Sequence, residues 1–169
     1  MENRINLGDD PEGFYKILKK DSAFKSFEKI VGPISLESLN NEVEGIILRE
    51  EVPDQVKEVF DISKKLFVLS YFKYRLFTVA AHYGFLAMEA ALTLKYQAEY
   101  VECGRNLYSM IQKLIQEGLL PAGKHELYDA GRCFRNELSH LSKRKVLTPG
   151  MVPLKHIGEL INDLFTPAS

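Results

Sequence analysis

The residues Phe134 to His140 read FRNELSH, inside the longer run YDAGRCFRNELSHLSKRK. On a helix turning about 100° per residue, with Arg135 at zero, Ser139 falls at roughly 40°, Arg132 at roughly 60°, Lys143 at roughly 80°, Asn136 at roughly 100° and His140 at roughly 140°. Three cations, an amide, a hydroxyl and an imidazole therefore share one side, and none of the six is a carboxylate. Phe134, Leu127, Leu138 and Leu141 gather on the other side, between roughly 240° and 300°. That donor set suits a phosphodiester. Arginine offers a planar fork of N–H groups to phosphate oxygens, asparagine can bond the phosphate or hold a neighbour, and histidine exchanges protons near neutrality. The competing reading is the polar face that any amphipathic helix must have. Arg105-Asn106 is an internal control, because LYSM follows it and no histidine does.

A second pair of residues lies in AHYGFLAMEAALTLKY, where His82, Leu86, Glu89 and Thr93 form one stripe of an otherwise Ala, Leu, Phe and Met helix. A carboxylate there needs a partner if it is buried, and Arg135 and Arg75 are the candidates. Glu89 reads first as a structural ion-pair member and His82 as a satisfied core histidine. His125 and His156 read as surface residues. No spacing of His, Cys, Asp or Glu fits a metal site, no glycine-rich phosphate loop is present, and no cofactor is expected.

The elements that must position these groups are helical. Phe14, Leu18, Phe24 and Phe27 recur at helical spacing before Gly32-Pro33, in a helix with a break at Asp21. Residues 34–52 read as either an extended segment or a short helix. A helix opens at Pro53-Asp54 and runs through QVKEVFDISKKLFVLSYF; a longer one spans Tyr74 to Tyr100 and, being apolar on every side, should be buried. Further helices follow over GRNLYSMIQKLIQEG, from Lys124 to Lys143, and from Leu154 to Phe165. The expected architecture is an all-α, up-down bundle at 53–169 with a helical extension, 1–52, packing on it.

The 169 residues suffice for one core without metals or disulfides. Acidic and basic side chains number 23 and 22, which excludes a strong overall field for coating nucleic acid. The local distribution is uneven: 37–61 is acid-rich, whereas Arg132, Arg135, Lys143, Arg144, Lys145 and Lys155 face only Glu137 between 132 and 155. Cys103 and Cys133 match neither a disulfide framework nor a zinc pattern. The polar start MENRINLGDDPEG lacks the apolar run of a signal peptide, and Lys73, Arg75, His82 and Glu89 interrupt the longest hydrophobic region. A cytoplasmic protein with no membrane partner is the expectation.

A helical bundle with FLAMEAALTLKY in a long central helix and FRNELSH in a late one resembles the HEPN superfamily, whose signature is Arg, four to six residues, then His, with a polar residue after the Arg. Here that is Arg135, Asn136 and His140, and the resemblance covers Pro53 to Phe165. Many members are metal-independent endoribonucleases, toxins or antiviral effectors that act as dimers sharing one cleft. The resemblance implies that His140 is the acid or base, that Arg135 stabilises the phosphate charge and that Asn136 positions one of them; the residue pattern adds Glu89 in support and Arg132, Ser139 and Lys143 as contacts to the RNA backbone. It implies a homodimer, RNA as substrate and an antitoxin protein as a candidate partner. Members silenced by nucleotidyltransferase antitoxins carry Tyr two positions after the His; this chain has Ser142. A non-catalytic helical module that binds nucleotide, RNA or protein is the alternative, and an unrelated bundle with a chance motif is a third.

Overall fold

The computed structural model describes residues 19–100, 106–120, 123–139 and 154–166. Among them are seven helices and no strand: α1 (Phe24–Val31), α2 (Leu36–Glu44), α3 (Asp54–Leu69), α4 (Leu76–Glu99), α5 (Leu107–Gln116), α6 (His125–Ser139) and α7 (Leu154–Leu164). The expected all-α bundle is present.

Local chemistry sets most of the helix ends. Asp21 breaks the chain ahead of α1: its carboxylate accepts from Ala23 N at 3.0 Å and from Tyr74 N at 2.8 Å. The second bond caps the first amide of a 3₁₀-like turn, in which Leu76 N donates to Lys73 O at 2.8 Å and Phe77 N to Tyr74 O at 3.1 Å, and the long α-helix follows from Leu76. Gly32, at φ 89°, closes α1. Ser35 and Ser38 exchange side-chain-to-backbone bonds of 3.0 Å in each direction, a capping box that starts α2. Asn106 Oδ1 accepts from Ser109 N at 2.9 Å to cap α5, and a Schellman motif ends it. In that motif Gly118 N donates to Ile115 O at 2.9 Å and Leu119 N to Leu114 O at 2.8 Å.

The ambiguous segment 34–52 divides in two. Its first half is α2. Residues 46–49 are not helical, and Asn162 of α7 holds them by donating to Ile47 O at 2.9 Å and accepting from Arg49 N at 2.8 Å. One side-chain amide thus supplies both bonds that a neighbouring strand would have made. The helix expected to run to Phe72 stops at Leu69, where the buried Ser70 hydroxyl turns back to Phe67 O. The part of the first helix before residue 19 lies outside the described residues, as does the expected end of α6 at Lys143.

α4 is the hub. It packs most extensively on α3 and also contacts α5, α6 and α7. Ala80, Ala81, Gly84, Ala87 and Ala91 are buried along it and let its neighbours approach closely. It is the one described helix long and apolar enough to cross a membrane, and half of its most apolar window is buried inside the fold. Phe24 carries α1 onto the same core through edge-on contacts with Tyr74 and Phe77 at 5.2 and 5.7 Å between ring centres. Leu39, Val43 and Val52 join that core too, so one apolar cluster runs from Phe24 to Leu164.

Gly84 marks the tightest approach. A Cβ there would lie 2.9 Å from Leu154 Cδ2, 3.0 Å from Ile157 Cδ1 and 3.3 Å from Ser63 Oγ. Gly84→Val should therefore lower stability by about 2 kcal/mol, because the overpacked methyls press on two helices at once. Urea unfolding followed by circular dichroism reads the loss; an unchanged midpoint would show that α7 is free to move away from α4.

Candidate functional site

The site is built where α6 crosses the hub helix. α6 is anchored at its start by α7, through the Lys124–Asp163 ion pair and the Tyr128 hydroxyl, which donates to Leu160 O at 2.8 Å. Burial pushes the Tyr128 phenol well above its ordinary pKa, so that bond keeps its proton at any physiological pH. One turn on, Gly131 lies against Met88, where a Cβ would meet the Met88 Cε at 2.4 Å. The Phe134 ring is stacked on Phe85 with centres 5.8 Å apart and planes 2° from parallel. Tyr128 and Gly131 are the buried positions of α6, and Arg135 follows them on the same stripe.

That stripe corrects the simple two-faced reading of the helix. The apolar side that includes Leu127 and Phe134 is not the buried one: these residues are 54% and 44% exposed. They flank a groove of about 350 Å³ between α6 and α7. The face turned to α4 is centred on Tyr128 and Gly131, which brings Arg135 inward. A helix packs by the face that fits its neighbour, and Gly131 permits an approach that leucine would block.

Arg135 meets Glu89 there. Its Nε lies 2.7 Å from Oε2, a close ion contact that is off the hydrogen-bond axis, and its Nη2 donates to Oε1 at 3.4 Å. Nη1 donates to Asn136 Oδ1 at 3.2 Å. Of the two cations considered for Glu89, Arg135 is the one that reaches it. The two side chains keep 33% and 28% of their surface open to solvent.

His82 stands two turns before Glu89 on α4, about 20° away around that helix. Its ring is half-buried and its Nδ1 is sealed without a hydrogen-bond partner among the described residues. Burial lowers its pKa, the Arg135 charge lowers it further, and Glu89 opposes them. A reading of His82 as a satisfied core histidine is therefore incomplete: it is an unsatisfied one, held neutral beside an ion pair. The signal in the sequence was the i, i+7 spacing of His82 and Glu89.

Arg132 and Ser139, on the polar side of the wheel, have partners within the fold. Arg132 Nε donates to Asp129 Oδ1 at 2.7 Å, and its guanidinium lies 5.4 Å from the centre of the Tyr108 ring. Asp129 is the carboxylate that the six-residue wheel left out, although it sits three positions earlier on the same side. Ser139 Oγ donates back to Arg135 O at 3.0 Å. His140 and Lys143 lie outside the described residues. His125 and His156 are exposed, and His156 Nδ1 is 3.2 Å from Glu159 Oε2.

Comparison with family models, with curated proteins and with solved structures gave no significant match.

Two outcomes follow from the Arg135–Glu89–His82 geometry. A double-mutant cycle of Glu89→Gln and Arg135→Met should give a coupling of about 1 kcal/mol, solvent at these one-third-open side chains holding it well below the value for a sealed pair. Chemical unfolding of the four proteins measures it, and a coupling indistinguishable from zero would remove the pair as a structural link. The second outcome concerns pH. Because the folded pKa of His82 is below its unfolded value, the unfolded chain takes up the proton first on acidification. The His82 contribution is complete above the unfolded value of about 6.5 and is lost as pH falls from there towards the lower folded value. His82→Gln should flatten that part of the stability curve; an unchanged slope would mean that the ring titrates as it does in water.

Proposed function

We propose that this chain is a HEPN-type, metal-independent endoribonuclease. The observation that carries the reading is the setting of Arg135: half-buried at the α4–α6 contact and oriented by Glu89 and Asn136, with a third of its side-chain surface open to solvent. A fork of donors held on two helices is prepared to receive a phosphate without first being ordered. In this reading the substrate 2′-hydroxyl attacks the adjacent phosphorus and gives its proton to a base. The bond to the 5′-oxygen breaks as that oxygen receives a proton, leaving a 2′,3′-cyclic phosphate and a 5′-hydroxyl. Arg135 stabilises the phosphorane charge, and Asn136 fixes Arg135 by accepting from it. His140 is assigned the proton transfers on the strength of the sequence signature. Because each chain carries the signature once, two copies in a homodimer would bring a second His140 to the cleft. A toxin or antiviral role, with an antitoxin protein as partner, goes with this reading.

A second reading is a non-catalytic helical module of the same type that binds nucleotide, RNA or a partner protein. The pairing of Arg132 with Asp129 and of Arg135 with Glu89 favours it, since both guanidinium groups are partly neutralised before any substrate arrives.

The test incubates the purified protein and its His140→Ala and Arg135→Ala variants with a mixed RNA pool in EDTA and identifies the ends. Cleavage by the wild type to cyclic phosphate ends, falling at least about a hundredfold in His140→Ala with little change in thermal midpoint, is the expected outcome. Equal cleavage by all three proteins would mark a contaminant, and RNA binding with no cleavage by any of them selects the module.

A further inference from the structure

Among the described residues, Tyr108 and Phe134 are the large aromatic side chains left exposed. Phe134 already has a ring stacked on it, that of Phe85. Tyr108 has a cation instead. It stands in the first turn of α5, and the Arg132 guanidinium carbon of α6 lies over its ring, 5.4 Å from the centre. Tyr108 is nevertheless 51% exposed. A ring closed on both faces would not keep half its surface, so the Arg132 contact covers one face and the opposite face meets solvent.

Arg132 is held in that place from its own helix. Its Nε donates to Asp129 Oδ1 at 2.7 Å and its Nη2 to Cys133 Sγ at 3.4 Å. The Asp129 carboxylate balances the guanidinium charge locally, which weakens the pull of Arg132 on a second anion. The short-range effect on the ring beneath it remains. An aromatic face is electron-rich, and a cation held on one side draws density away from the other, so the open face of Tyr108 repels an incoming π-system less than a free tyrosine would. A balanced charge and an electron-poor face suit a neutral, flat heteroaromatic ring better than a phosphate. We propose that the open face of Tyr108 is a stacking platform for one nucleobase of a single-stranded nucleic acid, with Arg132 as the positioning residue behind it. Arg132 and Arg135 leave α6 three positions apart, about 5–6 Å between Cβ atoms, so the base is bound one helical turn from the arginine assigned to phosphate. This rests on the nucleic-acid reading above and adds to it a base subsite outside the Arg, Asn and His signature.

The experiment uses the full chain and two short end-labelled DNA oligomers with the same number of phosphates, an oligodeoxyadenylate and its abasic counterpart; neither has a 2′-hydroxyl to be cleaved. Fluorescence anisotropy should show the adenylate binding about tenfold more tightly, the contribution of one stacked base. Tyr108→Ala should remove that advantage without changing the affinity for the abasic oligomer, and Tyr108→Phe should keep it. Arg132→Gln should lower the advantage about threefold and leave abasic binding as it was. An equal loss with both oligomers would make Arg132 a phosphate contact and overturn its place behind the ring. NMR of the Tyr108 ring protons is the second measurement: they should move upfield with the adenylate and not with the abasic oligomer, and unmoved signals refute the platform even where Tyr108→Ala fails to fold. Equal binding of the two oligomers by the wild type, or binding of neither, also overturns it. RNA cleavage is scored separately. Cleavage without base-dependent binding removes the platform and leaves the ribonuclease reading standing, whereas base-dependent binding without cleavage retains the platform and selects the non-catalytic module.

Discussion

A 24-residue helix that is apolar on nearly every side cannot stay in water, and the arrangement of the other elements follows from the need to cover α4. α3, α5, α6 and α7 all pack on it. Its run of alanines and Gly84 gives a smooth surface that neighbours can approach closely, while Phe77, Phe85 and Met88 provide the large groups that interlock with them. The same constraint creates the polar site. His82 and Glu89 sit on a helix whose surroundings are mostly hydrocarbon, and a carboxylate in that setting requires a cation. Arg135 is brought to it by a helix that packs through Tyr128 and Gly131.

Arg135 therefore serves the fold and the site by one geometry. Its contact with Glu89 ties α6 to the hub, and that contact together with the bond to Asn136 fixes the plane of the guanidinium. Such a group is neither a free surface arginine nor a sealed ion pair. A free arginine would lose side-chain entropy on meeting a phosphate, and a sealed one could not meet it at all. The intermediate exposure of both partners is the feature that would let a structural ion pair also serve the proposed anion site.

Much of the scaffold was legible in the sequence because it depends on short-range rules. The 3.6-residue periodicity marks α3 to α7, the glycines at 32 and 118 stop helices where they should, and the all-round apolarity of 76–99 announces a buried hub. The choice of Arg135 as one of two partners for Glu89 was also within reach of the residue pattern. Where local rules balanced, they failed: 34–52 could be helix or extended chain, and the outcome depends on Asn162, more than a hundred residues away. The long helix is preceded by a 3₁₀-like turn at 73–76, whose Tyr74 amide is capped by an aspartate from the far side of α1.

By itself, then, the sequence determined the all-helical class, the hub, and which polar residues α6 carries, since each of these follows from residue type and spacing along one segment. Only the tertiary structure decided which way α6 faces. A helical wheel ranks faces by hydrophobicity, but packing selects by shape, and Gly131 against Met88 turned Arg135 inward and left Leu127 and Phe134 on the outside. It also decided that the Arg132 guanidinium lies over the Tyr108 ring, and that His82 Nδ1 is buried without a hydrogen-bond partner among the described residues. Those outcomes depend on distances between segments that are far apart in the chain, and spacing within a single segment carries no information about them.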